Sequence, residues 1–171
     1  MIYLASDSKS RNLLDQLIGR LQNDCQIKLQ DEDFEILEAD VPPGRDQDFK
    51  DQDFEEMSLF SLSCLMAEKI RKNPQVHRGV FVDSYGVLPF IVSSKFPKII
   101  CALASDEHSA KMTRDHNNAN LITLGSKLVG EDVAFSIIKR FLLGKYSGGR
   151  HQIRIDMLNA LTPEENSEVS L

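Results

Sequence analysis

The 171-residue sequence contains no tryptophan, only three cysteines and no apolar run long enough to cross a membrane. The cysteines, Cys25, Cys64 and Cys101, are scattered and form no Cys-x-x-Cys pair, which argues against a disulfide framework and indicates reduced thiols. The four histidines lack the spacing of metal ligands, so we expect no metal site. The first apolar run, residues 2–5, is too short for a signal peptide. Together these absences predict a cytoplasmic protein.

Charge is distributed unevenly along the chain. Residues 24–56 carry 13 acidic and 3 basic side chains, whereas the remainder has a balance of +4. This acidic stretch contains a tandem near-repeat, DQDFKDQDF, after a Pro-Pro-Gly break, and we interpret it as a solvated surface insertion. The net charge of −6 also argues against a nucleic-acid-binding protein.

Length and hydrophobic periodicity predict one domain in which strands and helices alternate. We assign residues 1–161 to this domain and residues 162–171 to a polar, disordered tail. The predicted strands are 2–5, 34–37, 79–82, 99–103 and 121–124. The predicted helices cover about 13–21, 59–70, a short segment that begins near Pro89, 105–115, 131–143 and 150–161.

Five strand–helix repeats with apolar strands predict a five-stranded parallel sheet that is covered by helices on both faces. The expected fold is therefore α/β, a single doubly wound, Rossmann-like domain with a C-terminal helix. Such sheets bind ligands outside the carboxyl ends of their strands. Asp7 follows the first strand and the segment 83–86 follows the third, so we expect them to share the carboxyl edge.

A second group of polar residues is expected at the opposite edge of the sheet. The helix that starts near Ser105 runs back across the sheet, which brings His116 and Asn117 to the amino edge. The helix 131–143 runs back in the same way and brings Arg150 and Arg154 there too. These four residues can converge on one another, but they cannot easily reach the Asp7 crevice of their own chain. If they act on a ligand in such a crevice, that crevice belongs to another subunit.

The residue types of this group suggest acid–base chemistry on a sugar phosphate. Arg150 and Arg154 stand one helical turn apart near a helix start, where free N–H groups favour anions, and can clamp a phosphate. His116 can exchange a proton near neutral pH, and Asn117 can hydrogen-bond a hydroxyl or an oxyanion. The spacing alone also fits simpler roles, with the histidine capping a helix end and the arginine pair lying on a solvated surface.

Two segments of the sequence resemble a known family. They are SDEHSAKMTRDHNNANLITLGSKLVGED, which contains the His-Asn pair, and GKYSGGRHQIRIDMLN, which contains both arginines. Over about residues 79–160 the chain resembles the ribose-5-phosphate isomerase B/LacAB family, and within it the LacA branch of galactose-6-phosphate isomerase. The resemblance implies a Rossmann-like fold and an aldose–ketose isomerase that needs neither metal nor other cofactor. For the LacA branch it implies galactose 6-phosphate and tagatose 6-phosphate as substrate and product.

The family motif also implies roles for individual residues. It makes His116 the catalytic group that helps to open the sugar ring and Asn117 a substrate-binding residue. It makes Arg150 and Arg154 the residues that hold the phosphate. The family's active sites lie between subunits, in agreement with the expectation that the amino-edge residues serve the crevice of another chain.

The loop after the third strand departs from the pattern of homomeric family members. They carry Cys-Gly-Thr-Gly there, and the cysteine moves the proton between C1 and C2, whereas this chain has Asp83-Ser84-Tyr85-Gly86. The resemblance therefore implies a hetero-oligomer in which a LacB-like partner subunit supplies the cysteine. Self-association is also expected.

Two other functions remain open at the level of sequence. A noncatalytic sugar-phosphate-binding or scaffold subunit would keep the arginine pair without meeting a cysteine-bearing partner. A receiver-like signalling domain would use Asp83 as phosphoacceptor and Lys127 beside it. Receivers need an acidic pair after the first strand to hold magnesium, and Asp7 stands alone.

Overall fold

The computed structural model describes residues 1–39 and 51–162, with side chains described from residue 57 onward in the second segment. Its centre is a five-stranded sheet of order β2-β1-β3-β5-β4 in which every strand pair is parallel. The strands are β1 Ile2–Ser6, β2 Phe34–Ile36, β3 Arg78–Asp83, β4 Cys101–Leu103 and β5 Leu121–Gly125. The predicted fold class is confirmed.

Helices connect the strands and close the chain. The last helix begins later than the sequence predicts, because residues Gly149–His151 first form a 3-10 turn. The α-helices are α1 Arg11–Asn23, α2 Asp51–Arg71, α3 Val87–Ser93, α4 Glu107–Asn117, α5 Glu131–Leu143 and α6 Gln152–Leu161. Within the described residues no helix combines the length and the apolar character needed to cross a bilayer.

The core lies on both faces of the sheet, as a doubly wound fold requires. Successive strand residues point to opposite faces, so Leu4 packs in one apolar cluster while Tyr3 and Ala5 pack in the other. The first cluster unites the sheet with α1, α4 and α5, and the second unites it with α2 and α3. Phe81, which has no exposed surface, belongs to the second cluster, and burying such a side chain contributes about 1.5–3 kcal/mol.

The acidic stretch 24–56 is not one surface insertion throughout. Its first part contains β2, which pairs with β1 through Phe34 and Glu35, and it buries the side chains of Leu29 and Leu37. The apolar residues of this part pack against the sheet and the core, although the surrounding sequence is acidic. Residues 40–50 of the predicted insertion lie outside the described residues, as does the predicted tail from residue 163.

Candidate active site

The loops after β1 and β3 meet at the carboxyl edge of the sheet, as the parallel topology predicts. The backbone N–H of Asp7 donates to the Val82 carbonyl at 3.3 Å, and the Ser84 hydroxyl lies 3.4 Å from Asp7 Oδ2. The other Asp7 oxygen accepts the Ser10 N–H at 2.7 Å, and the Ser10 hydroxyl lies 2.8 Å from that of Ser126. The polar groups of this crevice therefore largely bond to one another.

Asp83 is the most enclosed acid of the crevice. Its residue is 5% exposed, and its carboxylate accepts the backbone N–H of Gly86. Burial raises the pKa of Asp83, the hydrogen bond from Gly86 opposes that shift, and the charge of Asp7 adds to it. The carboxylate thus closes its own loop and is not directed at an open site.

The loop depends on glycine at position 86. Gly86 has φ +76°, and a Cβ added there would lie 2.4 Å from the Leu103 side chain and 3.1 Å from the Leu124 backbone. Both the backbone conformation and the close approach require the absence of a side chain.

At the opposite edge, α4 ends in a fixed geometry. Asp106 caps its start by accepting the Ser109 N–H at 2.8 Å, and Asn118 ends it in the left-handed conformation with φ 55°. Arg114, which is 5% exposed, donates to the Asn118 side chain at 2.5 Å and to the Ala119 carbonyl at 3.0 Å. The last two helical residues, His116 and Asn117, are therefore held by a rigid cap.

The segment before α6 contacts the end of α4. The Ser147 N–H donates to the Asp115 carbonyl at 2.8 Å, which joins the segment to the end of α4. Gly148 and Gly149 then adopt positive φ angles of 61° and 57°, which residues with a Cβ rarely adopt. The 3-10 turn that follows is closed by the His151 N–H, which donates to the Gly148 carbonyl at 3.1 Å.

These two segments bring the sequence-predicted residues together. Arg154 donates to the Asn117 Oδ1 atom at 2.8 Å, across 37 residues of sequence. His116 stacks on the imidazole of His151, with ring centroids 4.5 Å apart and an interplanar angle of 20°. Arg150 is exposed beside His151, and its charge acts on that imidazole. His116, Asn117 and Arg154 thus form one cluster, with Arg150 at its margin.

The sequence reasoning did not single out His151. This residue is 9% exposed, although its neighbours Arg150 and Gln152 are exposed. The sequence does contain a hint, since His151 lies between the two arginines and three positions before Arg154. Its inward orientation, however, depends on the 3-10 turn.

The amino edge is strongly cationic. Burial lowers the pKa of His151, and the charges of His116, Arg150 and Arg154 lower it further. Within residues 1–39 and 57–162 neither Arg150 nor Arg154 forms an ion pair with a carboxylate. The cluster therefore combines a group that can exchange protons, an amide and two arginines that remain available to an anion.

A small cleft adjoins this cluster. Its volume is about 170 Å³, well below the roughly 300–1,000 Å³ of pockets that enclose a small-molecule ligand. The cleft reaches the cluster through Asn118 and Ile155, the chain neighbours of Asn117 and Arg154. The lining residues are Pro74, Gln75, Lys98, Ile100, Asn118, Asn120, Ile155 and Asn159.

Exposed apolar side chains flank both edges. On α6 the residues Ile153, Met157 and Leu161 recur every fourth position and are 67%, 66% and 78% exposed. Beside the crevice, Tyr85 and Leu128 are 52% and 59% exposed. Exposed apolar side chains grouped in this way are typical of protein–protein contact surfaces.

Comparison with known proteins places these features in a family. The family model described as Ribose/Galactose Isomerase (LacAB_rpiB) matches residues 2–158. The galactose-6-phosphate isomerase subunit LacA of Staphylococcus epidermidis strain RP62A is 41% identical over 142 residues, which cover 83% of this chain and 91% of the relative. The LacA subunit of Lactococcus lactis subsp. lactis matches with the same identity and coverage.

A solved structure supports the same relationship. Ribose-5-phosphate isomerase B from Mycoplasma genitalium, crystallised with bound ribulose-5-phosphate, superposes with a TM-score of 0.70. It is 27% identical, and the match covers 94% of both chains. The family match at residues 2–158 includes the end of α4 and the residues 149–154, which build the cationic edge. The chain belongs to the ribose/galactose isomerase family.

Proposed function

We propose that this chain is a subunit of a cytoplasmic aldose–ketose isomerase that converts galactose 6-phosphate to tagatose 6-phosphate. The observation that carries the proposal is the cluster of His116, Asn117 and Arg154, with Arg150 beside it, in a chain whose relatives are named as subunits of galactose-6-phosphate isomerase. The cluster contains both a proton-exchanging group and two arginines without a carboxylate partner among the described residues, which are the two elements that a sugar-phosphate isomerase needs.

His116 acts in ring opening. The C1–O5 bond of the pyranose breaks when an acid protonates the ring oxygen and a base removes the proton of the anomeric hydroxyl, which leaves a carbonyl at C1. The imidazole of His116 can perform one of these transfers near neutral pH. Asn117, the next residue on the rigid end of α4, binds the oxygens of the open chain through its amide.

Arg150 and Arg154 hold the 6-phosphate. A guanidinium binds phosphate oxygens through two parallel N–H groups, and its charge strengthens each hydrogen bond. Arg154 already donates through Nη1 to Asn117, which sets its position, while Arg150 is exposed and has no carboxylate partner among the described residues. The phosphate end and the reacting C1–C2 end of the substrate are then held by separate groups.

The partner subunit supplies the base for the second step. Isomerisation moves a proton from C2 to C1 through an enediol, and this transfer needs a base at the crevice. The crevice of this chain offers Asp83, whose carboxylate is buried and bonded to its own loop. We therefore assign the base to the cysteine of a LacB-like partner, in a site that this chain completes with its amino edge.

The surfaces of the chain support a shared site. The apolar stripe Ile153, Met157 and Leu161 lies on the helix that carries Arg154, so covering this stripe would bring another subunit next to the cationic cluster.

Reconstitution tests the proposal. The purified chain alone should show little or no isomerase activity, and addition of a LacB subunit with an intact Cys-Gly-Thr-Gly loop should produce turnover of galactose 6-phosphate. Light scattering should detect a dimer or a larger oligomer in the active mixture. A monomer in the presence of LacB would exclude the shared site, and robust turnover by the chain alone would make Asp83 the base.

A noncatalytic, sugar-phosphate-binding subunit is the second candidate, favoured by the closed Asp83 loop. It predicts that phosphate binds to the assembly while galactose 6-phosphate is not turned over. A receiver-like role for Asp83 is disfavoured by the same burial, since a phosphoacceptor must meet its donor. Magnesium-dependent phosphorylation of Asp83 by a small phosphodonor would support it.

A further inference from the structure

His151 differs from the residues around it. It lies between Arg150 and Gln152, which are both exposed, yet only 9% of its own surface is exposed. The two positive-φ glycines and the 3-10 turn rotate it towards α4, where its ring meets that of His116. The chain therefore uses an unusual backbone conformation to place a second imidazole against the first.

The contact between the rings is close and nearly parallel. The centroid separation of 4.5 Å and the interplanar angle of 20° indicate stacking of the two rings. A ring in such a stack loses rotational freedom about its side-chain bonds. His116 is only half-buried, so the face of His151 provides one wall that restricts its orientation.

The charges around His151 favour its neutral form. His116 on α4 and Arg150 and Arg154 on the segment of His151 itself all oppose a positive charge there, and burial acts in the same direction. Arg154 Nη2 lies 3.5 Å from His151 Nδ1. Because a guanidinium can only donate, this contact favours the tautomer in which Nδ1 is the acceptor and Nε2 carries the proton. A neutral, oriented imidazole can stack on His116 whether or not His116 is protonated.

We propose that His151 is a positioning residue for His116, holding the plane of that imidazole so that one ring nitrogen addresses the sugar ring during ring opening. This role rests on the proposed function of the chain. His151 contacts both His116 and Arg154, so it also connects the proton-exchanging group with the phosphate clamp. It acts through its neighbours and needs no contact with the reacting atoms.

The stack itself can be tested without any enzyme activity. We compare the His116 Cε1–H resonance in NMR spectra of the chain alone with those of His151→Ala and His151→Phe. Loss of the neighbouring ring current in His151→Ala should move this resonance, whereas Phe keeps an aromatic face and should largely preserve it. His108→Ala, which removes an exposed histidine of the same helix, is the matched control and should leave the resonance in place. An unchanged resonance in His151→Ala would overturn the proposal.

Kinetics of the assembly with LacB then test positioning. Misplacement of a reacting group by about 1 Å can lower the rate roughly a hundredfold, so His151→Ala should reduce kcat on cyclic galactose 6-phosphate about ten- to a hundredfold. KM should change less than in Arg154→Ala, and His151→Phe should recover most of kcat. An acyclic substrate analogue, which needs no ring opening, should be turned over almost normally by both His151 variants.

The outcomes separate the two proposals. Equal kcat losses on the cyclic and acyclic substrates, or no loss on the cyclic one, would overturn positioning of His116 even where the NMR experiment detects the stack. A wild-type assembly without isomerase activity would instead refute the proposed function, and with it the role of His151 in ring opening, while the NMR result would still decide whether the stack exists. Thermal unfolding of each variant identifies losses that come from instability, and His151→Phe serves where His151→Ala does not fold.

Discussion

Polar residues lie at both edges of the sheet, but the two edges differ in how these residues find hydrogen-bond and ion-pair partners. At the carboxyl edge, Asp7 and Asp83 accept hydrogen bonds from backbone N–H groups of their own loops. At the amino edge, Arg150 and Arg154 have no carboxylate partner within the described side chains, and His151 is surrounded by positive charge. The acids of the first edge are hydrogen-bonded within their own loops, whereas the arginines of the second edge can still bind an anion. In a doubly wound fold the usual ligand edge is the carboxyl one, whereas the proposed site draws mainly on the amino edge of this chain.

The difference between the edges predicts that substitutions at one edge affect activity and substitutions at the other affect stability. Under the proposed function, substitutions in the amino-edge cluster should change binding and catalysis while the fold stays intact, because these side chains are partly or fully exposed. Substitutions at the carboxyl edge should mainly change stability, because their groups are buried and bonded to one another.

Removal of His116 should have the largest effect. His116→Ala should lower kcat of the LacB-containing assembly on cyclic galactose 6-phosphate by about 10²–10⁴-fold, the usual contribution of a positioned acid or base. The loss should shrink on an acyclic analogue that bypasses ring opening. Steady-state kinetics on both substrates make the measurement, with His108→Ala as the control. Equal losses on both substrates would assign His116 to the enediol step or to structure.

Removal of either arginine should weaken phosphate binding. Charge-assisted hydrogen bonds contribute about 1.5–3 kcal/mol each, so Arg150→Ala or Arg154→Ala should weaken binding of substrate or inorganic phosphate roughly ten- to a hundredfold. Some loss of kcat should accompany the higher KM, since remote binding energy positions the reacting end. Lysine at either position should restore charge but not the forked geometry.

KM and inhibition by inorganic phosphate provide the measurement for both arginines. Arg11→Ala is a matched control, since Arg11 is exposed at the start of α1, on the other edge, and pairs with Asp15 and Glu38. Unchanged KM and phosphate inhibition in either alanine variant of the clamp would identify that arginine as surface and favour the noncatalytic alternative.

At the carboxyl edge, Asp83→Ala should act on stability. It leaves the Gly86 N–H without its acceptor, and a buried unsatisfied group costs about 1–3 kcal/mol of unfolding free energy. Asp83→Asn keeps an acceptor without a buried charge and should cost less or even stabilise the chain near neutral pH. Denaturant unfolding of the chain alone measures both variants. A large stability loss in Asp83→Asn would show that the charge itself is needed.

The raised pKa of Asp83 determines whether the stability of the chain rises or falls with pH. The folded chain retains the proton at pH values where the unfolded chain, with a pKa near 3.8, has already lost it. The contribution of Asp83 to stability is therefore full below pH 3.8 and is lost as pH rises through the folded pKa. As pH rises from 3.8 through the folded pKa, wild type should lose free energy of unfolding relative to Asp83→Asn. A difference that does not depend on pH would contradict the burial of this acid.

His151 should give the smallest effect, again in stability against pH. Its folded pKa is lowered, so the unfolded chain binds a proton first as pH falls below its ordinary value of 6.5. Wild type should lose stability relative to His151→Phe as pH falls from about 6.5 through the folded pKa. Thermal unfolding of both proteins across this interval makes the measurement, and parallel pH profiles would show that His151 is protonated equally in both states.

Much of the comparison between edges follows from local sequence patterns. Strand β5, for example, is a continuous apolar run, and α4 begins at a capping Asp106 followed by Glu107, so the direction of the chain and the edge reached by His116 could be inferred. The strand Phe34–Ile36 is less evident from the sequence, because its apolar residues are embedded in acidic sequence that by itself favours a surface insertion.

The sequence by itself determined the alternation of strands and helices, the parallel sheet and the edge to which each polar group belongs, because these depend on local periodicity and on chain direction. Only the tertiary structure decided which groups touch. The 2.8 Å contact of Arg154 with Asn117 and the stack of His151 on His116 join segments far apart in sequence. They depend on the packing of α4 and α5 and on the positive φ angles of Gly148 and Gly149. The burial of Asp83 against its own loop is likewise a property of packing, since an aspartate after a strand is by its sequence equally suited to an open site and to a closed loop.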